Sequence, residues 1–294
     1  MKAQHTLLAL ALAVPLALLA RTPVDTAGGS DADIAAGATA DQATTAKLVY
    51  GLLSDSRYAY RPQPLDDALS QDIFKRYLES LDGGKVFFTA QDVAKFSKYR
   101  NSLDDAIKGG ELDPAYAMFA MYKQRVDQRA AYARSLLKQD IFDFSGQDRW
   151  YYDREDAKWA ADAAELDKVW KQSVRNDWLR LKLAGKKSDE IRKTLDKRYA
   201  NLAESVDELD GTDAFQSFLN AYTGSIDPHT DYFDPRTAER FNQSMSLSLE
   251  GIGAQLQKQD DVVLIRELLP GGPAIKSGKL EAGDRIVGVG QGGN

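Results

Sequence analysis

Apolar residues recur every three or four positions from about Ala46 to Tyr222, and near residue 224 that period gives way to turns, short apolar runs and alternation. The first regime is that of amphipathic helices, the second that of strands and tight connections. Leu69, Ile73, Tyr77 and Leu81 step by four along one face, and Asp82-Gly83-Gly84 ends the helix they predict. Thr89 is placed to cap a helix carrying Val93, Phe96, Leu103 and Ile107 on one side, stopped by Gly109-Gly110. Asp113-Pro114 reads as an N-cap followed by proline at the first helical position, opening a helix that presents Phe119, Tyr122, Val126, Ala133 and Leu136. Further stripes run through Leu166, Trp170, Val174, Trp178 and Leu181, through Ile191, Leu195, Tyr199, Leu202 and Val206, and, from near Thr212, through Phe215, Phe218, Leu219 and Tyr222. An aromatic row such as Trp170 and Trp178 can be a sugar or cofactor platform, but its helical spacing assigns it to core packing. The charged faces, Lys182 to Arg198 for example, read as solvated surface.

In the second regime, Gly224 to Phe233 is rich in turn chemistry, and Asp234-Pro235 starts a short helix to about Gln243. Ser246 to Leu256 is a glycine-bracketed turn entering an apolar strand, and Val262 to Ile265 is the clearest strand of the chain. Gly271-Gly272-Pro273-Ala274-Ile275-Lys276-Ser277-Gly278 signals a short helix, and Gly283-Asp284-Arg285-Ile286-Val287-Gly288-Val289 a turn entering another strand.

The loop Glu250-Gly251-Ile252-Gly253 carries the candidate chemistry. Its glycines permit backbone angles denied to other residues, so that successive amide N–H groups can converge on an anion. A hairpin turn without a ligand has the same local sequence, but the order of loop, Gly-Pro-Ala helix and Gly-Asp-x-Ile turn resembles a PDZ domain of the permuted bacterial type. Such domains add a peptide C-terminus as an extra strand. The resemblance implies that the terminal carboxylate sits in the loop, that Ala254, Gln255 and Leu256 pair with the peptide backbone, and that Leu249 and Ile252 line the pocket for its last apolar side chain.

Composition narrows the partners. A net charge of −6 offers no basic excess to neutralise phosphates, which argues against a nucleic-acid partner. The chain has no cysteine, which excludes disulfides, a thiol nucleophile and zinc–thiolate sites, and after the first twenty residues His229 is the one histidine, so no metal or other cofactor is expected. Lys2 followed by the apolar run Leu7 to Ala20 predicts a cleaved signal peptide over residues 1–20 and a periplasmic protein, with inner-membrane association if the signal stays attached. Residues 21–45, rich in Ala, Thr, Gly and Asp, read as a flexible leader.

Asp227-Pro228-His229-Thr230, followed by the glycine loop and preceded by Leu81-Asp82-Gly83-Gly84 and Phe87-Phe88-Thr89, is similar to the carboxyl-terminal processing proteases, and in particular to their tail-specific branch. The resemblance implies a multi-domain fold: a mainly α-helical N-terminal domain over 46–243, with the turn segment 224–234 at its end, and a truncated, permuted α+β PDZ domain over 244–294. It implies an exported serine endopeptidase that captures apolar C-terminal tails of proteins or peptides, with an adaptor protein as a further partner on the helices. The family's serine nucleophile and lysine base follow the PDZ domain, so no catalytic residue is carried onto this chain and the 294 residues are expected to be inactive. The helix that closes the groove is likewise expected after Asn294, which predicts weak or undetectable tail binding and a marginal or disordered C-terminal subdomain. His229 has no nucleophile-elbow motif with it, and Asp227-Pro228-His229-Thr230 is expected to form a turn that caps neighbouring backbone. The competing expectation is a non-enzymatic periplasmic peptide-binding or adaptor protein built from the same two parts. A chaperone-like exported protease fits less well, because there the PDZ domain follows the catalytic one.

Overall fold

The computed structural model describes residues 30–139, 141–246, 251–259 and 262–290. Ten helices come first: α1 (Ser30–Ala36), α2 (Ala40–Ser54), α3 (Asp67–Asp82), α4 (Ala90–Phe96), α5 (Leu103–Gly109), α6 (Asp113–Leu136), α7 (Ala163–Leu183), α8 (Ser188–Asp207), α9 (Gly211–Ile226) and α10 (Pro235–Met245). A small unit follows, made of β1 (Ala254–Gln259), β2 (Val262–Leu268), α11 (Pro273–Ser277) and β3 (Arg285–Ile286). A helical domain followed by a small α+β unit is the predicted fold class.

Two apolar clusters fill the helical domain, and α6 is long enough to serve both. Tyr116, Met118 and Phe119 on its first half join Ile73, Tyr77, Phe88, Ile107, Phe215, Phe218 and Tyr222. Ala133 and Leu136 on its last turns join Leu166, Trp170, Val174, Trp178, Ile191, Leu195 and Tyr199. The tryptophan stripe is therefore core: Trp178 stacks on Phe142 with ring centroids 3.7 Å apart, and the Trp170 indole N–H donates to the Val86 carbonyl at 2.6 Å. Side chains close the helix starts, with capping boxes at Thr39/Gln42, Thr89/Asp92 and Asp210/Asp213 and single caps at Asp66, Asp162 and Asp234.

Three readings of the sequence change. The later part of the expected flexible leader, residues 30–45, holds α1 and the start of α2. Ile34 is buried in the first cluster, and Asp31 pairs with the buried Lys123 at 2.9 Å. The Lys123 ammonium also donates to the Asp207 and Leu209 carbonyls at 2.9 and 2.8 Å. Ala43, one of the small residues that suggested flexibility, lies against the end of α5, where a Cβ on Gly110 would come 3.1 Å from the Ala43 Cβ. The signal peptide assigned to residues 1–20 lies outside the described residues. Second, the single helix expected from Thr89 to Gly110 is two, α4 and α5, joined by a 3₁₀ turn at Ser97–Tyr99. Ser70 of α3 holds the break: its hydroxyl donates to the Arg100 carbonyl and accepts the Leu103 N–H, both at 2.9 Å. Third, Leu112 and not Asp113 occupies the cap of α6, with no side-chain hydrogen bond, and Pro114 lies in the first turn.

Two buried carboxylates lock this domain. Asp82, at the end of α3, accepts the N–H groups of Val86, Phe87 and Phe88 at 2.8, 2.9 and 2.8 Å. Burial pushes its carboxyl up nonetheless, against the pull of those three donors. At Asp92 burial also acts to raise the carboxyl, but the Arg125 fork from α6 at 2.9 and 2.7 Å, with the Thr89 amide and hydroxyl, prevails and holds it at about 2.

Candidate peptide-binding site

In the small unit the three strands form one antiparallel sheet in the order β1-β2-β3, so among the described residues β1 is an edge. β1 pairs with β2 from Ala254 opposite Leu268 to Gln259 opposite Val262, with a bulge between Gln255 and Leu256. Ile265 of β2 is fully buried, and its backbone N–H and carbonyl bond to Asp284 and Gly283 at 2.8 and 2.7 Å, which pins the Gly283-Asp284 turn.

Among the described residues, backbone hydrogen bonds hold the loop entering β1. Gly253 is left-handed, with φ +73°. The Ile252 carbonyl accepts the Ala274 N–H and the Gly253 carbonyl accepts the Leu269 N–H, both at 2.8 Å. The Gly272 N–H in turn donates to the Leu269 carbonyl at 3.0 Å. Gly253 and Gly272 cross so closely that a Cβ on Gly253 would lie 2.8 Å from Gly272 Cα, and a Cβ on Gly272 would lie 3.0 Å from Gly253 Cα. Both positions therefore require glycine, for space at each and for backbone angle at Gly253. Around this crossing Ile252, Leu256 and Ile275 stand 44%, 50% and 44% exposed, an apolar fringe beside an unpaired strand edge.

Of the residues expected to bind a tail, Gly251, Ile252, Gly253, Ala254, Gln255 and Leu256 are brought together along this loop and edge; Leu249 and Glu250 lie outside the described residues. Asp227, Pro228, His229 and Thr230 are elsewhere, at the end of α9. There the Asp227 carboxylate accepts the His229 N–H at 2.7 Å and the Asp227 carbonyl accepts the Thr230 N–H at 3.1 Å, so the segment is a turn closed by its own aspartate. Tyr232, just after it, fastens the turn to α9 through the Asn220 side chain at 2.6 Å and an edge-on contact with Phe215. The roles of Leu269, Gly272 and Ala274 as the clamp of the loop were not read from the sequence. Gly271-Gly272-Pro273 is visible there as a helix start, while its contact with Gly253 is made across the sheet. Among the described residues, no group of three or more His, Asp or Glu side chains is placed to hold a metal ion, and no helix is long and apolar enough to cross a membrane.

Residues 52–236 match the family model for the tail specific protease N-terminal domain, and residues 242–292 match that for the PDZ domain. The chain is 42% identical over 233 residues to the tail-specific protease of Haemophilus influenzae, covering 79% of this chain and 33% of that protein. It is 40% identical over 63 residues to the carboxy-terminal processing protease CtpA of Bacillus subtilis, covering 21% of this chain and 13% of that protein. A second Bacillus subtilis protein, carboxy-terminal processing protease CtpB, is 28% identical over 108 residues, 36% of this chain and 22% of that protein. The chain thus spans about a third of the length of the Haemophilus protein and less of the others.

Proposed function

Because the chain belongs to the tail-specific protease family, we propose that its small C-terminal unit captures the free C-termini of protein substrates by strand addition, for cleavage by the whole protease. The observation that carries this reading is the open edge of β1 immediately after a glycine loop whose two carbonyls are already engaged by Ala274 and Leu269. With those carbonyls turned inward, the loop's amides are the groups left to meet a carboxylate. Ile252 and Leu256 then meet apolar side chains of the tail, while the edge groups of β1 pair with its backbone. The helical domain holds the substrate and offers the surface on which an adaptor docks. Cutting belongs to a serine–lysine pair of the family type, and it is assigned to no residue of this chain. Export to the periplasm by the N-terminal signal is part of the same proposal.

The test is fluorescence anisotropy with a labelled peptide ending in an apolar residue, as the free acid and as the C-terminal amide. A charge-assisted hydrogen bond of about 1.5–3 kcal/mol to the carboxylate makes the acid bind roughly 10- to 100-fold tighter. Ile252→Asp abolishes the difference. Equal binding of acid and amide, or a preference that survives Ile252→Asp, overturns the proposal and favours a peptide-binding scaffold of another kind.

A further inference from the structure

The helical hairpin of α7 and α8 carries more positive charge than its packing uses: Arg180, Lys182 and Arg192 lie over the Tyr152, Phe144 and Trp178 rings, and Lys186, Lys187 and Lys193 lie over no ring among the described residues. Between Arg180 and Arg198 the sequence has eight Lys or Arg against three Asp or Glu, in a chain whose net charge is −6. The apolar faces of the hairpin, Trp170, Val174 and Trp178 against Ile191, Leu195 and Tyr199, are turned into the second core, which leaves the cations outside. At the tip, Leu183 is 78% exposed, and Lys182, Lys186 and Lys187 flank it in sequence. Gly185, with φ +83°, makes the turn between them. Beside the tip a cavity of about 380 Å³ is lined by Lys138, Lys182 and Arg192 over the Phe142 and Trp178 rings, with Ser188 at the start of α8. Arg192 is fixed there by its Nε–H bond to the Leu137 carbonyl at 2.8 Å. Arg198 is paired with Asp177 and Asp196 with Arg134, whereas Lys186, Lys187 and Lys193 have no ion-pair partner among the described residues.

We infer that this hairpin tip docks the folded protein on an anionic phospholipid surface. An exposed apolar side chain at a turn whose neighbours in sequence are lysines is an arrangement that enters the headgroup layer while those lysines meet lipid phosphates. An acidic protein satisfies the charge but gives no reason for Leu183 to be held in water at the apex. The contact is independent of the apolar run Leu7 to Ala20, and the inference does not rest on the tail-binding reading.

The experiment is co-sedimentation of the full chain with vesicles of neutral phosphatidylcholine and of phosphatidylcholine with phosphatidylglycerol. It compares the native sequence with Lys186→Glu/Lys187→Glu/Lys193→Glu and with Leu183→Ser. All four residues are exposed, and circular dichroism with tryptophan fluorescence checks that the fold is kept. Each lysine near an anionic surface is worth about a fivefold change in partition, so the triple variant binds the anionic vesicles at least about 100-fold more weakly, and Leu183→Ser also weakens binding. Residues 1–20 are the same in every variant, so any membrane affinity of theirs does not change between them. Equal partition of native and triple-variant chains overturns the inference. So does binding to polyglutamate that is lost in the triple variant while vesicle binding is not.

Discussion

Replacing Gly253 with alanine tests whether the glycine crossing is what shapes the loop proposed to receive a tail. At φ +73° a residue with a Cβ costs about 1 kcal/mol or more, and that Cβ would lie 2.8 Å from Gly272 Cα, a backbone atom that cannot rotate away. Relieving the clash separates the loop from α11 and lengthens the two bonds now at 2.8 Å, Ala274 N–H to Ile252 and Leu269 N–H to Gly253, each worth about 1 kcal/mol. The total is about 3 kcal/mol, a large share of what so small a unit, with Ile265 and Ala274 as its buried residues, has to lose. Trp150, Trp159, Trp170 and Trp178 all precede α8, so fluorescence reports on the helical domain and is blind to the loop. The assay is therefore twofold: urea unfolding followed by tryptophan emission, and amide hydrogen exchange of Leu269 and Ala274. The expected result is an unchanged fluorescence transition with protection lost at both amides, and with it the preference for a free carboxylate. Retained protection at Leu269 and Ala274 would refute the clamp. A shifted fluorescence transition would show that the two parts are not independent.

Three further outcomes follow from the helical domain. Asp92, held at about 2 against an ordinary 3.8, contributes about 2 kcal/mol that is fully present above pH 4 and is lost as pH falls through 2. In acid titrations of stability, the gap between the native chain and Asp92→Asn should therefore close over that window, and a gap that is constant with pH contradicts the assignment. Ser70→Ala leaves the Arg100 carbonyl and the Leu103 N–H without their partner, and should cost about 2–3 kcal/mol by denaturant unfolding; a loss under 0.5 kcal/mol would mean the helix break is held by something else. His229→Ala, at an exposed turn position, should change stability by less than about 0.5 kcal/mol. A larger loss would give the imidazole a role the geometry lacks.

Periodicity made most of the helical domain legible because its faces are buried at the spacing of the sequence, as Leu69, Ile73, Tyr77 and Leu81 show. It failed where one long-range hydrogen bond outweighed local pattern. Val93 to Ile107 keep the phase of one helix, and the break between α4 and α5 is made by Ser70, more than twenty residues earlier in the chain. The helices in residues 30–45 leave little trace in the sequence for a different reason: their apolar content is mostly alanine, and a single isoleucine, Ile34, docks α1. In the candidate site the glycines were visible as exceptions to ordinary turn composition. Their meaning as a crossing of two backbones was not, since Gly253 and Gly272 are related only through the sheet.

The central claim, that β1 receives a C-terminal tail as an added strand, is tested most directly by amide exchange across residues 254–259 with and without a saturating free-acid peptide. The account predicts new protection on alternate amides of β1, those facing away from β2, and much less with the amidated peptide at the same concentration. Unchanged exchange along β1 in the presence of bound free-acid peptide would contradict it.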